Sequence, residues 1–229
     1  SIISAREIRS VVSSILIEAT AEELTLTATD LEIGIKTSLA ISGAVAGKIT
    51  LPAKKLSQSI REFRGDKIEF ESNAEHHITI KDPSGQSRAV ITLMGASSDE
   101  YPQIPTLASK DYITFPVSIM QDMIRHTSYS MAEEDARYVF NGLFLQNAGK
   151  GVDIVATDGR RLSRVKRDFP EELPFKDGII LPNKAVRELQ KLLDPEQEGQ
   201  IAFDKKDRRV YFRLGNVDLI TKLIEGQFP

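Results

Sequence analysis

The segment Ala156-Thr157-Asp158-Gly159-Arg160-Arg161-Leu162 sets a carboxylate two residues before a pair of guanidinium groups. A hydrolase could use Asp158 to activate water and Arg160 or Arg161 to hold an anionic transition state. That reading weakens once the chain is compared with itself, because Ala28-Thr29-Asp30 repeats Ala156-Thr157-Asp158 without the glycine and arginines. An aspartate at the end of a strand most simply bonds the turn that follows. The remaining chemistry-bearing types are sparse. Cysteine is absent, which removes disulfides, thiolate nucleophiles and Cys-based zinc sites. The three histidines are His76, His77 and His126, and the first two are adjacent on an expected strand, where neighbours point to opposite faces. Acidic runs such as Glu133-Glu134-Asp135 and Asp99-Glu100 fall in polar, loop-like stretches. Phosphate-binding glycine loops, His-Glu-x-x-His and Gly-x-Ser-x-Gly are missing. No enzyme, cofactor or metal chemistry is expected.

The elements that carry these residues come in two copies. Ser13 to Glu18 matches Asn141 to Gln146 in apolar pattern, and the Ala-Thr-Asp pair recurs, both at an offset of 128. Ile49-Thr50-Leu51-Pro52 recurs as Ile179-Ile180-Leu181-Pro182 at 130, and Tyr101-Pro102 as Phe228-Pro229 at 127. A period of that length suits a whole small domain. Each copy reads as short alternating strands, such as Leu24 to Thr29, Ile78 to Lys81 and Val210 to Leu214, with amphipathic helices between them. Pro52 and Pro182 are expected at the first helical position, which needs no amide hydrogen. Leu56, Ile60 and Phe63 should form the buried stripe of one helix, and Val186, Leu189 and Leu193 that of the other. A third helix after Phe115-Pro116 should bury Val117, Met120, Met123, Ile124 and Thr127.

The expected organisation is residues 1–110 and 111–229, an α+β fold. About 30 residues, from Asp111, precede Asn141, but only 12 precede Ser13, so roughly 18 residues of the first copy are expected to be missing at the front. A further segment is expected after Pro229, where the first copy runs on into the second.

Hydrophobic residues make up 41% and charged residues 28% of the 229, as in an ordinary soluble globular chain. With no apolar run of membrane length and no secretory core, an intracellular, cytoplasmic protein is expected. The net charge of −3 rules out a simple polycation, so any basic surface must be local. From Lys54 to Lys67 five cations face Glu62 and Asp66, and Lys184, Arg187 and Lys191 accompany Glu188. Equivalent helices of both copies are thus basic on their solvated faces, and such helices would touch phosphates without reading bases.

Leu26-Thr27-Ala28-Thr29-Asp30-Leu31-Glu32, Ile49 to Leu56, Arg137-Tyr138-Val139-Phe140-Asn141-Gly142, Ala156 to Leu162 and Leu223 to Pro229 together resemble the bacterial sliding clamp, the beta subunit of DNA polymerase III. The resemblance spans nearly the whole chain. It implies duplicated clamp domains in a homodimeric ring, antiparallel sheets outside and paired helices lining a channel around duplex DNA, with a third clamp domain absent from this chain. It further implies a non-catalytic processivity factor for DNA replication. Its partners would be sequence-independent double-stranded DNA and the short hydrophobic peptides of polymerase, clamp loader and repair proteins. DNA-contact positions of the family fall on Arg6, Lys54, Tyr138, Val139 and Glu134. Some relatives carry a second aromatic at Val139 and a neutral glutamine at Glu134, so those two contacts are weaker here. The peptide site falls on Phe140, Thr157, Gly159, Arg160, Arg161, Leu162 and Pro229, with histidine common in relatives at Arg160. The competing class is a protein-binding scaffold that encircles no DNA.

Overall fold

The structure, a computed structural model, describes residues 13–107 and 112–229. The expected DNA-contact residue Arg6 lies outside the described residues. The chain divides into two units, Ser1–Leu31 with Lys36–Ile104, and Glu32–Ile35 with Pro105–Pro229.

In the first unit, β1 (Ser14–Ala19), β2 (Glu23–Thr29), β3 (Ile33–Ala40) and β4 (Gly47–Pro52) lie in the order β4-β1-β2-β3. Helix α1 (Ala53–Arg61) leads to a three-stranded antiparallel sheet of β5 (Glu69–Ser72), β6 (His77–Lys81) and β7 (Val90–Met94). Strands of period two bury alternate residues, and here Ile17, Ile49, Leu51, Ile78, Ile80 and Leu93 close on Leu56 and Phe63.

The stripe expected on α1 is partly wrong. Leu56 and Phe63 are buried, but Ile60 is 37% exposed and Ser59 takes its place inside. The last turn tightens, with Glu62 N–H donating to Ser59 O (3.1 Å) and Phe63 N–H to Ile60 O (3.2 Å). With about 100° per residue, Ser59 and Ile60 lie on opposite flanks of the line from Leu56 to Phe63, and it is the Ser59 flank that is buried.

The second unit holds β8 (Ile113–Pro116), α2 (Val117–Arg125), β9 (Gly142–Ala148), β10 (Gly151–Thr157), β11 (Leu162–Asp168), β12 (Ile179–Pro182), α3 (Asn183–Leu192), β13 (Glu198–Asp204), β14 (Arg209–Leu214) and β15 (Val217–Lys222). Two antiparallel sheets, β11-β10-β9-β12 and β8-β13-β14-β15, each bury one face against α2 and α3. Met120, Met123 and Ile124 of α2 and Val186 and Leu189 of α3 fill the core, and each fully buried side chain of this size stabilises by about 1.5–3 kcal/mol. Thr127 is buried as expected, because its hydroxyl donates to Met123 O (2.8 Å).

The repeat appears in hydrogen bonds as well as in sequence. Ala53 N–H donates to Ser13 O (3.0 Å) as Asn183 N–H does to Asn141 O (2.9 Å), so each helix start is tied to the residue just ahead of the matching strand, β1 or β9. The bridge Thr50–Ala96 has its counterpart in Ile180–Ile224. The prolines differ from expectation by one position. Pro52, Pro116 and Pro182 are the last residues of their strands and occupy the helix cap, with ψ of 112°, 114° and 143°. Extended ψ at the cap turns the chain out of the sheet, and the proline ring fixes φ for that corner.

Candidate functional site

Residues 131–141 form a loop with both ends secured. Asn141 accepts from Asp135 N–H (2.8 Å) and donates to Asp135 O (2.9 Å) through its amide, while Asn183 at the start of α3 donates to Ala132 O (2.9 Å). The loop ends in a single 3-10 turn, Tyr138–Phe140, which separates three consecutive side chains. Tyr138 is 75% exposed, Val139 is half-buried and Phe140 is 8% exposed. Glu134 is exposed on the same loop, and its neighbour Glu133 pairs with Arg187 of α3. Lys54 is exposed on α1 of the first unit.

Phe140 anchors an apolar surface. Phe144, which pairs with Val155 and Ile180, lies on the face of its sheet away from the helices, as do Thr157 and Leu162, which pair with each other. The end of the chain crosses this face, where the Phe228 ring stacks on Phe144 (5.0 Å, 7° between planes) and meets Phe140 edge-on (6.5 Å). Leu162 is 61% exposed beside the buried Thr157, and Pro229 is exposed.

The rim is polar and tightly bonded. Asp158 accepts from the N–H groups of Arg160 (2.9 Å) and Arg161 (3.0 Å), and Thr157 donates to Arg161 O (2.7 Å). Gly159, at φ +84°, donates to Thr157 Oγ1 (3.0 Å). The first copy makes the same turn with Leu31 at φ +77° donating to Thr29 (3.0 Å). Asp158 is therefore a turn former, as its repeat mate suggested. The backbone N–H of Arg160, then that of Arg161, hold its carboxyl below the usual range.

Arg137 was not assigned a role from sequence, yet it closes the site. Its guanidinium stands 4.3 Å from the Phe140 ring centre and binds both oxygens of Asp135 (2.9 Å each). A Cβ at Gly159 would lie 2.7 Å from its Nη2, so glycine there gives both the left-handed backbone and the room. The i, i+2 spacing of Asp135 and Arg137 directly before an aromatic run was the available signal. Phe228 was likewise recoverable, as the repeat mate of Tyr101.

The Arg137 side chain, then its backbone N–H, lower the Asp135 carboxyl from 3.8 to about 2. A depressed carboxylate stabilises the folded unit fully above its unfolded value and loses that contribution as pH falls through the folded one. Stability should therefore drop between about pH 4 and about pH 2. In acid unfolding monitored by circular dichroism, Asp135→Asn should flatten the curve in that window. An unchanged acid limb would rule the pair out as a contributor.

Arg161 does not follow Leu162. Its guanidinium stands 5.9 Å from the Tyr129 ring centre, on the helix-bearing side of the sheet. Of the expected peptide-site residues, the structure thus gathers Phe140, Thr157, Gly159, Leu162 and Pro229 with the exposed Arg160, while the Arg161 Nε bonds Asp158 of the same rim turn (3.0 Å). Among the described residues, no group of three or more His, Asp or Glu side chains is arranged to hold a metal ion.

Two α+β units with proline-capped helices and repeated strand-end turns are the architecture of clamp domains. The family profile described as DNA polymerase III beta subunit, N-terminal domain, matches residues 1–105, and that of the central domain matches 114–229. The chain belongs to the DNA polymerase III beta subunit family. It is 32% identical over 221 residues to the beta sliding clamp of Haemophilus influenzae, covering 96% of this chain and 58% of that protein. The crystal structure of the Pseudomonas aeruginosa DNA polymerase III subunit beta superposes with a TM-score of 0.86 at 27% identity, covering all of this chain and 61% of that one. A second P. aeruginosa clamp structure, bound to griselimycin, gives 0.86 and 27%, covering 99% and 60%. The chain therefore spans under two thirds of the length of these relatives.

Proposed function

We propose that this chain forms part of a sliding clamp, a non-catalytic ring around duplex DNA that tethers the replicative polymerase and other replication and repair proteins. The observation that supports this most is the repetition of one device. In each clamp-type unit a proline-capped helix presents lysine and arginine to solvent, within a chain of net negative charge. Such helices meet phosphates through contacts weak enough to exchange, and the remaining acidic surface repels the polyanion. Lys54 and the loop carrying Tyr138 and Val139 are the proposed DNA contacts on the described residues. Glu134 on that loop weakens the approach of a phosphate.

The apolar surface of Phe140, Leu162, Phe228 and Pro229 is the proposed seat of a short hydrophobic peptide, with Thr157, Gly159 and Arg160 at its rim. The fact that a related clamp has been crystallised with griselimycin supports a ligand site on this fold. We place the protein in the cytoplasm; among the described residues no helix is long and apolar enough to cross a membrane.

The test of encirclement is topological. Full-length protein loaded onto nicked circular DNA should stay bound through gel filtration and be lost once the circle is cut to a linear form. Retention on linear DNA with free ends would point to adhesion instead, and failure to be retained on the circle would favour a scaffold that encloses no DNA.

A further inference from the structure

The turn between β13 and β14, Asp204-Lys205-Lys206-Asp207-Arg208-Arg209, holds four cations against two carboxylates. Asp204 closes it, its Oδ1 accepting from the N–H groups of Lys206 (2.9 Å) and Asp207 (3.2 Å), and Lys205 and Lys206 stand exposed at the tip. Val210 and Phe212 of β14 belong to the core shared with α2 and α3. Alternation therefore sends Arg209 and Tyr211 to the face away from the helices, and Lys222 of β15, which pairs with Arg209, joins them there. The proposed DNA contacts do not use this face.

Arg208 pairs loosely with Glu225 (3.7 Å). Among the described residues, Lys205, Lys206, Arg209 and Lys222 make no ion pair and no side-chain hydrogen bond. Arg209 Nε and the Tyr211 hydroxyl are sealed from solvent without a hydrogen-bond partner, and Tyr211 is 2% exposed. Burial, then the Asp204 carboxylate, push the Tyr211 pKa up, so its hydroxyl stays protonated. A buried donor without an acceptor is destabilising. A carboxylate only accepts, and it meets a guanidinium with two parallel hydrogen bonds.

We infer that the β13–β14 turn, with Arg209 and Lys222 beside it, docks a run of Asp and Glu residues on a protein whose hydrophobic peptide occupies the Phe140 and Leu162 surface. The choice of partner rests on the reading of that apolar surface given above. Continuity joins the two places. Leu223 N–H donates to Arg208 O (3.0 Å), Ile224 bridges Ile180, and Phe228 follows Lys222 by six residues. Six residues span at most about 22 Å, so one partner segment of about ten residues reaches both. The hydrophobic anchor then makes the acidic contact intramolecular, which lets weak ion pairs add to affinity. An acidic protein segment suits this patch better than nucleic acid, because the basic helix faces proposed to meet DNA lie on the other side of the sheet.

The experiment measures binding to the full-length protein by fluorescence anisotropy at low and high salt with three labelled peptides. The first is a hydrophobic polymerase-derived peptide, the second the same peptide joined through a Gly-Ser linker to a run of glutamates, and the third the second with its apolar residues changed to serine. At low salt the glutamate run should tighten binding about fivefold to tenfold, as a few exposed ion pairs allow, and high salt should erase the gain. Lys205→Gln with Lys206→Gln should remove about half of it on a logarithmic scale, and adding Arg209→Gln should abolish it, while affinity for the first peptide stays unchanged. Arg209→Lys should keep part of the gain, since it retains charge without the planar fork. Lys150→Gln, in the β9–β10 turn, should change nothing. Thermal unfolding of each variant separates lost contacts from lost folding. The inference is overturned if the first peptide binds and the glutamate run adds nothing, if the gain survives in the triple variant, or if Lys150→Gln removes it as well. It is also overturned if the triple variant binds a labelled duplex more weakly and the acidic peptides as before, which would make the turn a nucleic-acid contact. The third peptide keeps the two readings apart. Its low-salt binding, lost in the triple variant, would sustain the acidic site even where the first peptide fails to bind and the apolar surface is disproved, whereas no binding by any of the three overturns both.

Discussion

Gly142→Ala is expected to destabilise the second unit by about 3 kcal/mol, because the added methyl group has nowhere to go. A Cβ there would lie 2.5 Å from Leu181 O, 2.8 Å from Ile180 Cγ2 and 3.0 Å from Ile224 Cδ1. The first obstacle is backbone, and β12 cannot slide to relieve it. Ile179 and Leu181 are fixed in the core, Ile180 is bridged to Ile224, and Pro182 leads directly into α3. The equivalent position in the first copy is Ser14, whose Cβ is accommodated opposite Pro52. There the bridging residue is the small Ala96 in place of Ile224. Ile224→Ala should therefore restore only part of the loss in the double variant, since it clears one side chain and leaves the Leu181 carbonyl. Thermal unfolding followed by circular dichroism should show the midpoint falling by roughly 6–12 °C for Gly142→Ala. A fall under about 2 °C would mean that β9 and β12 separate at little cost.

That glycine shows where sequence legibility stops. Its place in Arg137-Tyr138-Val139-Phe140-Asn141-Gly142 was visible, but the reason for it was not, because the carbonyl that excludes a side chain comes from a strand about 40 residues away. Local devices were legible. The strand-end turn of Thr157 and Asp158, the apolar stripes of α2 and α3 and the internal repeat all depend on neighbours a few residues apart or on direct self-comparison. The α1 stripe failed at Ile60 because Ser59 and Ile60 flank the Leu56–Phe63 line at similar angles, and only the tertiary packing decides which flank is covered. The site was legible as a set of residues and illegible as a surface. Leu162 and Arg161 are adjacent in sequence, and only the strand register and the Tyr129 contact reveal that their side chains leave in different directions. Asp135 and Arg137 were overlooked because an acidic run in a polar loop ordinarily reads as solvated. Their value lies in the Phe140 ring and Gly159 backbone that they meet.

Leu162→Ala is expected to weaken binding of a polymerase-derived hydrophobic peptide about tenfold with almost no change in stability. Full burial of a leucine side chain stabilises by about 1.5–3 kcal/mol. Leu162 is already partly covered, at 61% exposed, so the lower end applies, and about 1.4 kcal/mol corresponds to a tenfold change in Kd. Its exposure also predicts a stability change within about 0.5 kcal/mol. Phe140 gives the contrast. It is buried beneath Arg137 and against Phe228, so Phe140→Ala should lower the melting temperature as well as the affinity, at a folding cost of about 3–5 kcal/mol. Leu162→Met, which conserves apolar volume, should recover most of the affinity. Isothermal titration calorimetry with the peptide, run beside thermal unfolding, separates the cases. Unchanged affinity in Leu162→Ala removes this residue from the site. A loss of affinity matched by a loss of folding would place Leu162 in the framework of the unit instead of at its surface.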